Sequence, residues 1–469
     1  MSVNPATTRL GDFWTEFRRS PSGVVGLVLL VLFAAVAVLG PALSPYPEAG
    51  TSWRSIEYWQ DEPANAPPAW TNLFAREKGA VSARLAAADS AAEEGEGYRV
   101  ERASFAYDFS YDRPPLDLIL HFRVDEPAPV SVAIERPDGR RVELVNSTVE
   151  PVSGEARISL DKEAGAAVLD FVRGIEPPEA LERLDGSSLE PTAILFAEAE
   201  PGLTTAPRAL KGKYRITLET IVVDGAEPAS EPVPPRLAVV GRVSGLLGTD
   251  AQKRDLFSGA VAGVRYALLI GFLTALVSVA VGVVYGALSA YAGGLVDAAM
   301  QRFFEIMSSM PLLPFMIVLS AIFKPSIVTM IVLMVLFFWT GSVKTVRSMA
   351  LQIKEETYIE AAKALGAGGP RILFRHIVPI LVPYSFASMA LAVPGAIVYE
   401  ATVSLLGLGD ASIVTWGQIL HDALSGGAVL NGVWWWVVPP GLLIALMGMT
   451  FAFLGFAMDK ILHPKLRTR

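Results

Sequence analysis

The stretch Tyr358–Pro383 reads YIEAAKALGAGGPRILFRHIVPILVP and lies between two apolar runs. It is too polar to span a bilayer and too apolar on one side to be a plain linker. Thr357 to Leu365 predicts a short helix, because Glu360, Ala361, Ala362, Lys363 and Ala364 are good helix formers and Gly366 is a natural stop. Pro370 restarts the chain and helps open a second helix. Successive alanines let another surface approach the backbone closely. Glu360, near the helix start, suits the helix dipole and offers a charge to a basic partner. Two readings stay open at this level: a stub that docks in a groove on a cytoplasmic protein, or an amphipathic connector lying on a membrane surface.

Working outward, the 469 residues are 52% hydrophobic and 18% charged, with mean hydropathy +0.42. Soluble domains rarely reach that apolar fraction, so membrane class comes first. There is no Cys, which excludes disulfide scaffolds, thiol nucleophiles and Cys-ligated metals. Four scattered His (His121, His376, His421, His463) without HExxH give no zinc signature. No GxxxxGK[ST] occurs; Gly212-Lys213 is followed by Tyr214, so the chain carries no P-loop of its own, and GxSxG is absent as well. The net charge of −8 divides into −13 over residues 45–247 and +5 elsewhere. An acidic block is thus set within a mildly basic membrane protein. The basic charges sit beside apolar spans, so nucleic acid is not an expected partner.

Val24–Leu43 is long enough to cross about 30 Å of hydrocarbon as a helix, preceded by a polar segment (1–23) with Arg9, Arg18 and Arg19. A retained first span is expected over a cleaved signal peptide, because the apolar run and its leader are both long. Further spans are expected at about 264–291, 304–323 (broken by Pro311 and Pro314), 327–342, 377–406 and 433–456, the last opened by Trp434-Trp435-Trp436 as an interface anchor. Gly271, Gly282 and Gly286 mark close helix packing. Six spans place residues 343–376, with Lys344, Arg347, Lys354, Lys363, Arg371 and Arg375, on the cytoplasmic side together with both termini, including the tail 460–469. Residues 45–247 then lie outside, as an irregular or partly helical lead-in to about 97 followed by a β-rich, sandwich-like domain at about 98–235. Its strands are read at Leu116–Val124, Val130–Glu135, Arg141–Val145 and Tyr214–Val223, from period-2 alternation and the Pro137-Asp138-Gly139 turn.

The opening stretch resembles the EAA motif of ABC-importer permeases: Glu360-Ala361-Ala362, then Gly366, then Ile377-Val378-Pro379. Gly248-Thr249-Asp250 … Arg254-Asp255-Leu256-Phe257-Ser258 is similar to the signature before the second span of C-type dipeptide/oligopeptide (and nickel) permease subunits. Gly293-Gly294-x-x-Asp297, Glu400 … Ser404-Leu405-Leu406-Gly407-Leu408-Gly409, Trp416-Gly417 and Arg18-Arg19 fit the same family. The resemblance covers residues 1–45 and 246–469. Lys253 stands where the signature usually has Gly, which argues against a tight turn there. The block of about 200 residues after the first span is far longer than the family's few dozen, and the resemblance gives it no role.

The resemblance implies an all-α membrane fold of six spans, the ABC transporter type 1 permease fold, over 261–459, with a cytoplasmic coupling segment at 354–376 and the β-rich insert outside. It implies a multi-pass inner-membrane subunit of a binding-protein-dependent importer, not an enzyme. Its partners would be a second permease, two ATPase subunits that bind ATP and Mg, an extracytoplasmic solute-binding protein and the lipid bilayer; no cofactor would sit in this chain. Glu360, Ala361 and Ala362 would dock on an ATPase, and Gly366 would set the bend between two cytoplasmic helices. Gly248, Thr249, Asp250, Arg254 and Asp255 would fix an outer loop. The cargo would be peptides, or oligosaccharides handled by similar transporters. Glu400, a carboxylate within a span, is a candidate for the pathway, weighed against a capped or water-facing position near the interface. Arg302 and Glu305 read as an interfacial ion pair, and Met307, Met310 and Phe315 as packing before path. The alternatives are a membrane-anchored receptor with a ligand-binding β domain, which would not need a coupling stub, and an ion channel or proton-coupled transporter, which would call for more ionisable residues at mid-membrane.

Overall fold

The computed structural model describes residues 14–124, 126–150, 152–181, 190–223 and 234–462. Arg9, His463 and the basic tail residues Lys465, Arg467 and Arg469 lie outside the described residues. The chain divides into two units, 1–54 with 258–469, and 55–257.

The first helix, α1 (Pro21–Leu43), opens on Ser20, whose hydroxyl accepts from Gly23 N at 3.4 Å, with Pro21 at the position where a missing N–H costs nothing. Its 23 residues span about 35 Å at 1.5 Å per residue.

Residues 55–257 form two antiparallel sheets. One runs in the order β1 (Ala83–Ala86), β9 (Arg236–Val240), β4 (Asp117–Val124), β7 (Val152–Arg157). The other runs β2 (Asp89–Glu94), β3 (Tyr98–Phe109), β8 (Gly212–Val223), β5 (Ala128–Glu135), β6 (Arg141–Val149). Alternation explains the core: Tyr214, Ile216 and Leu218 of β8 point inward, meeting Phe105 and Phe109 of β3 and Leu118 and Leu120 of β4. A helix, α2 (Lys162–Arg173), covers part of this core with Ala164, Val168 and Val172; Asp161 caps it through Glu163 N (2.8 Å) and Ala164 N (3.1 Å). Strands begin at Ala83, within the stretch to residue 97 that reads as irregular or helical from sequence. The reason is that β2 is an edge strand with all six residues exposed, held to β3 by backbone pairing, so it carries no apolar period.

The lead-in is also bonded to the far end of the same unit. Asn65 N donates to Asp250 O (2.8 Å), Thr249 N to Ala66 O (2.9 Å), Ser244 N to Pro67 O (3.0 Å) and Arg242 N to Ala80 O (2.7 Å). Within the unit, Asp61 is buried with His121 Nε2 at 2.6 Å and Arg236 Nη2 at 3.7 Å. Burial pushes the Asp61 carboxyl up, but the His121 hydrogen bond and charge, with Arg84 and Arg236, hold it below its ordinary 3.8. A depressed folded-state pKa adds stability above the unfolded pKa and loses it as pH falls through the folded one. Asp61→Asn should therefore lower stability by about 1.5–3 kcal/mol at pH 7. In thermal unfolding, its gap to wild type should close below about pH 4; a gap that does not change with pH would mean that Asp61 is not held ionised.

Of the expected spans, the second falls on α3 (Leu256–Ala292), 37 residues long. The third is two helices, α4 (Gly294–Ser309) and α5 (Leu312–Ile322), bent by 77°. The break falls at Met310-Pro311, whereas Pro314 lies in the first turn of α5, where no intrahelical N–H bond is lost. The fourth is α6 (Ile327–Phe338) followed by α7 (Thr340–Lys354) at 41°. Helix thus continues twelve residues beyond Ser342, where the apolar run stops. Next come α8 (Thr357–Ala364), α9 (Val378–Leu405), continuous with helical turns from Gly369, α10 (Trp416–Ser425) and α11 (Val438–Leu462). Among the described residues four helices are long and apolar enough to cross a membrane, or up to six if each bent pair is one span. Trp436 is fully buried and not an interface residue; a Cβ on Gly426 would meet its ring at 2.8 Å. Trp434 is exposed.

Glycine sets the α3–α7 contact. A Cβ on Gly286 would lie 2.8 Å from Val343 O, and one on Gly282 would run into Trp339 O and the Ser342 hydroxyl. Gly271 meets Ile397 and Val393 of α9 in the same way.

Candidate coupling segment and its anchors

The helix α8 is only eight residues long, yet tertiary packing fixes it. Ile359 is fully buried among Val346 and Ala350 of α7 and Ile372, Leu373 and Ile377 beyond. Gly366 ends it at φ +82°, its N–H donating to Lys363 O (2.9 Å), and Ala367 N donates to Ala362 O (3.0 Å). That is a left-handed helix stop, which glycine adopts without strain. With Ile359 inside, Glu360 and Ala361 are exposed and Ala362 is half-buried. Tyr358 (40% exposed) and Leu365 (89%) flank them. Tyr358, Ala361 and Leu365 are spaced i, i+3, i+7, so they share one outward apolar face with Glu360 beside it. Tyr358 and Leu365 were not singled out from sequence, although that spacing was readable.

Polar bonds join α7, which leads into α8, to α3 and α4. Arg347 of α7 holds Asp297 of α4 with two parallel bonds, Nε–Oδ1 2.8 Å and Nη2–Oδ2 2.5 Å. Ser289 of α3 also donates to Asp297, and Gln301 donates to Ser289 at 2.9 Å. Lys354, the last residue of α7, donates to Ala290 O (3.2 Å) and Tyr291 O (3.0 Å), capping the end of α3. Helices α3, α4 and α7 therefore meet in one charged knot. Arg347 stood out in the sequence only as a positive charge, because its partner is 50 residues away. Arg302 and Glu305 form an exposed pair at 2.9 Å.

The five residues Gly248, Thr249, Asp250, Arg254 and Asp255 come together as a buried loop. Asp250 accepts from Gln252 N (2.9 Å), Arg254 N (2.9 Å) and Arg254 Nε (2.6 Å), while the Thr249 hydroxyl donates to Pro63 O at 2.5 Å. Burial pushes the Asp250 carboxyl up, against the pull of Arg254 and those N–H groups. With these contacts the loop is a structural clasp. The turn closes despite Lys253, which takes φ +66° and donates from Nζ to Gln60 O at 3.2 Å. Lys253→Gly should shift stability by less than about 1 kcal/mol, since relief of the left-handed backbone is offset by glycine's freedom when unfolded. Lys253→Val should destabilise by more than about 1 kcal/mol, read as the thermal midpoint of the purified chain.

Glu400 is buried at 4% exposure in α9 and accepts from Ser404 Oγ at 2.8 Å. Beyond the helix end, a Cβ on Gly409, or on Gly417 of α10, would press on Ser404. No described group of three or more His, Asp or Glu could hold a metal ion.

Comparison with known proteins matches residues 282–468 to the family described as binding-protein-dependent transport system inner membrane component. Residues 8–68 match the N-terminal TM domain of oligopeptide transport permease C. A dipeptide transport system permease protein of Bacillus subtilis is 36% identical over 221 residues, 47% of this chain and 68% of the relative. An oligopeptide transport system permease protein of Haemophilus influenzae is 35% identical over 219 residues, 46% of this chain and 70% of the relative. A peptidoglycan transport system permease protein of Agrobacterium fabrum is 37% identical over 163 residues, 35% of this chain and 43% of the relative.

Proposed function

The chain belongs to the C-type permease subunits of ABC peptide importers, and from that premise we propose that it forms half of a peptide path whose opening is driven through α8. The outward face of Tyr358, Glu360, Ala361 and Leu365 docks on an ATPase subunit, and this surface is the observation that carries the reading. A second permease supplies the other half of the path, a second ATPase completes the motor, and a solute-binding protein outside delivers the cargo. ATP and Mg belong to the ATPases. Both termini and α8 face the cytoplasm, and residues 45–247 lie outside. ATP-driven closure draws two coupling helices together and moves the spans as rigid bodies between inward-open and outward-open states. Asp297–Arg347 and Lys354 transmit that movement from α8 to α3 and α4.

The test is reconstitution. This chain, co-purified with the second permease and two ATPases, is placed in proteoliposomes with the solute-binding protein and ATP. A labelled tripeptide should accumulate only with ATP, and an assembled complex that takes up no peptide overturns the cargo class.

A further inference from the structure

The two bent spans break at the same place. The α4–α5 break contributes Met310 and Leu312 to the wall of one cavity, and the α6–α7 break contributes Phe338 and Thr340. The cavity measures about 540 Å³, within the roughly 300–1,000 Å³ usual for small-ligand sites. Helix α3 adds Ser278 to its wall, and α9 adds Tyr384 and Ser388. Met307 lines it too, whereas Phe315 does not and instead packs on Phe337.

Three features mark it as a binding site and not a packing fault. First, Ser278 (2% exposed) and Ser342 (6%) both line it, and neither hydroxyl has a hydrogen-bond partner. An unpaired buried hydroxyl costs free energy unless a ligand or water meets it. Second, a helix start leaves its first N–H groups without intrahelical partners, and Leu312 opens α5 at the wall. Broken helices around a midplane site present backbone groups to cargo in this way. Third, no Asp, Glu, Lys, Arg or His is among the described lining residues.

We infer that this cavity is a transit subsite of the permease, resting on the peptide-importer reading, that takes the amide backbone and neutral side chains of a peptide and does not read charge. Hydroxyls can both donate to a peptide carbonyl and accept from a peptide N–H, so they suit a backbone of any sequence. The Met307 and Met310 thioethers are flexible and adapt to varied apolar side chains. Discrimination by charge then falls to other parts of the importer.

Two glycines make the test clean. Gly341 and Gly395 line the cavity, and a Cβ added to either would meet nothing within 4 Å. Gly395→Trp should thus fill the cavity, and in mid-helix it replaces a poor helix former with a better one. In proteoliposomes carrying the full complex, uptake of labelled tri-alanine should fall at least tenfold while ATP hydrolysis and co-purification with the ATPases persist; Gly441→Trp, at a glycine that does not line the cavity and whose added Cβ meets nothing within 4 Å, should transport as wild type. The natural absence of Cys permits a second reading. Ser388→Cys gives this chain one thiol, whose labelling by an uncharged methanethiosulfonate reagent should slow at least threefold during turnover with tri-alanine, and equally with Ala-Glu-Ala and Ala-Lys-Ala. Wild-type uptake in Gly395→Trp, or labelling of Ser388→Cys that peptide does not alter, would overturn the subsite. Protection by one charge sign alone would overturn its indifference to charge. A wild-type complex that takes up none of the three peptides would instead bring down the importer reading on which the subsite rests.

Discussion

Gly282→Leu should leave little folded permease in the membrane. The Gly282 Cα sits under Trp339 O and the Ser342 hydroxyl, so a side chain there must push α7 away from α3. Overpacking a filled site usually costs about 1–3 kcal/mol. Here the obstacle is backbone, which cannot swing aside, so the cost should reach or pass the upper end of that range. Net stabilities are only about 5–15 kcal/mol, so such a loss is a large share. Separating α3 from α7 also strains the Asp297–Arg347 knot, because Ser289 and Lys354 join these helices next to it. The expected readout is a loss of the monodisperse peak in detergent and a thermal midpoint several degrees lower. Gly441→Leu is the control, since a Cβ at Gly441 meets nothing within 4 Å. Equal yields of the two variants would show that the α3–α7 approach is not required.

Glu360→Lys should have the largest effect on transport. Its side chain is exposed, so the substitution removes no interior contact. Within the helix it costs no more than about 0.3–1 kcal/mol, from a positive charge near the N-terminus. On the proposed docking of α8, with a basic groove on the ATPase facing Glu360, a full charge reversal works at contact distance, where like-charge juxtaposition costs several kcal/mol. Uptake by the reconstituted complex should fall at least tenfold, equivalent to about 1.4 kcal/mol, with the protein still correctly folded. Leu365→Ala should weaken docking less, through lost apolar area alone. Uptake by Glu360→Lys at the wild-type rate would remove α8 as the docking element.

The sequence was most readable where one period dominates. Strand β8 alternates without interruption from Tyr214 to Thr220, and α8 announces itself by consecutive alanines ahead of Gly366. Reading faltered where the stabilising partner is remote. Strand β2 has no inward face, so nothing in Asp89–Glu94 distinguishes it from a polar linker. Helix α2 did carry a signal, Asp161 followed by Ala164, Val168 and Val172, but it is short and lies among strands. The turn at Lys253 closes against local preference because Asp250 and its ring of N–H donors determine it from outside. For the site, the outward residues of α8 follow from its own spacing once Ile359 is known to be buried. The Asp297–Arg347 pair and the shared cavity at two helix breaks need the tertiary fold, since each joins segments dozens of residues apart.

The hydrogen bonds that zip residues 65–67 and 80 to 242–250 have an evolutionary reading. They make the acidic β unit a cassette whose incoming and outgoing segments run side by side. To a parent loop, such a cassette looks like a hairpin of a few residues, and loop closure grows costlier only slowly with length. It could be swapped, duplicated or shed without re-registering the helices on either side. Trimming between residues 68 and 241 and rejoining the zipped segments with a short turn is therefore the natural way to ask what the cassette contributes.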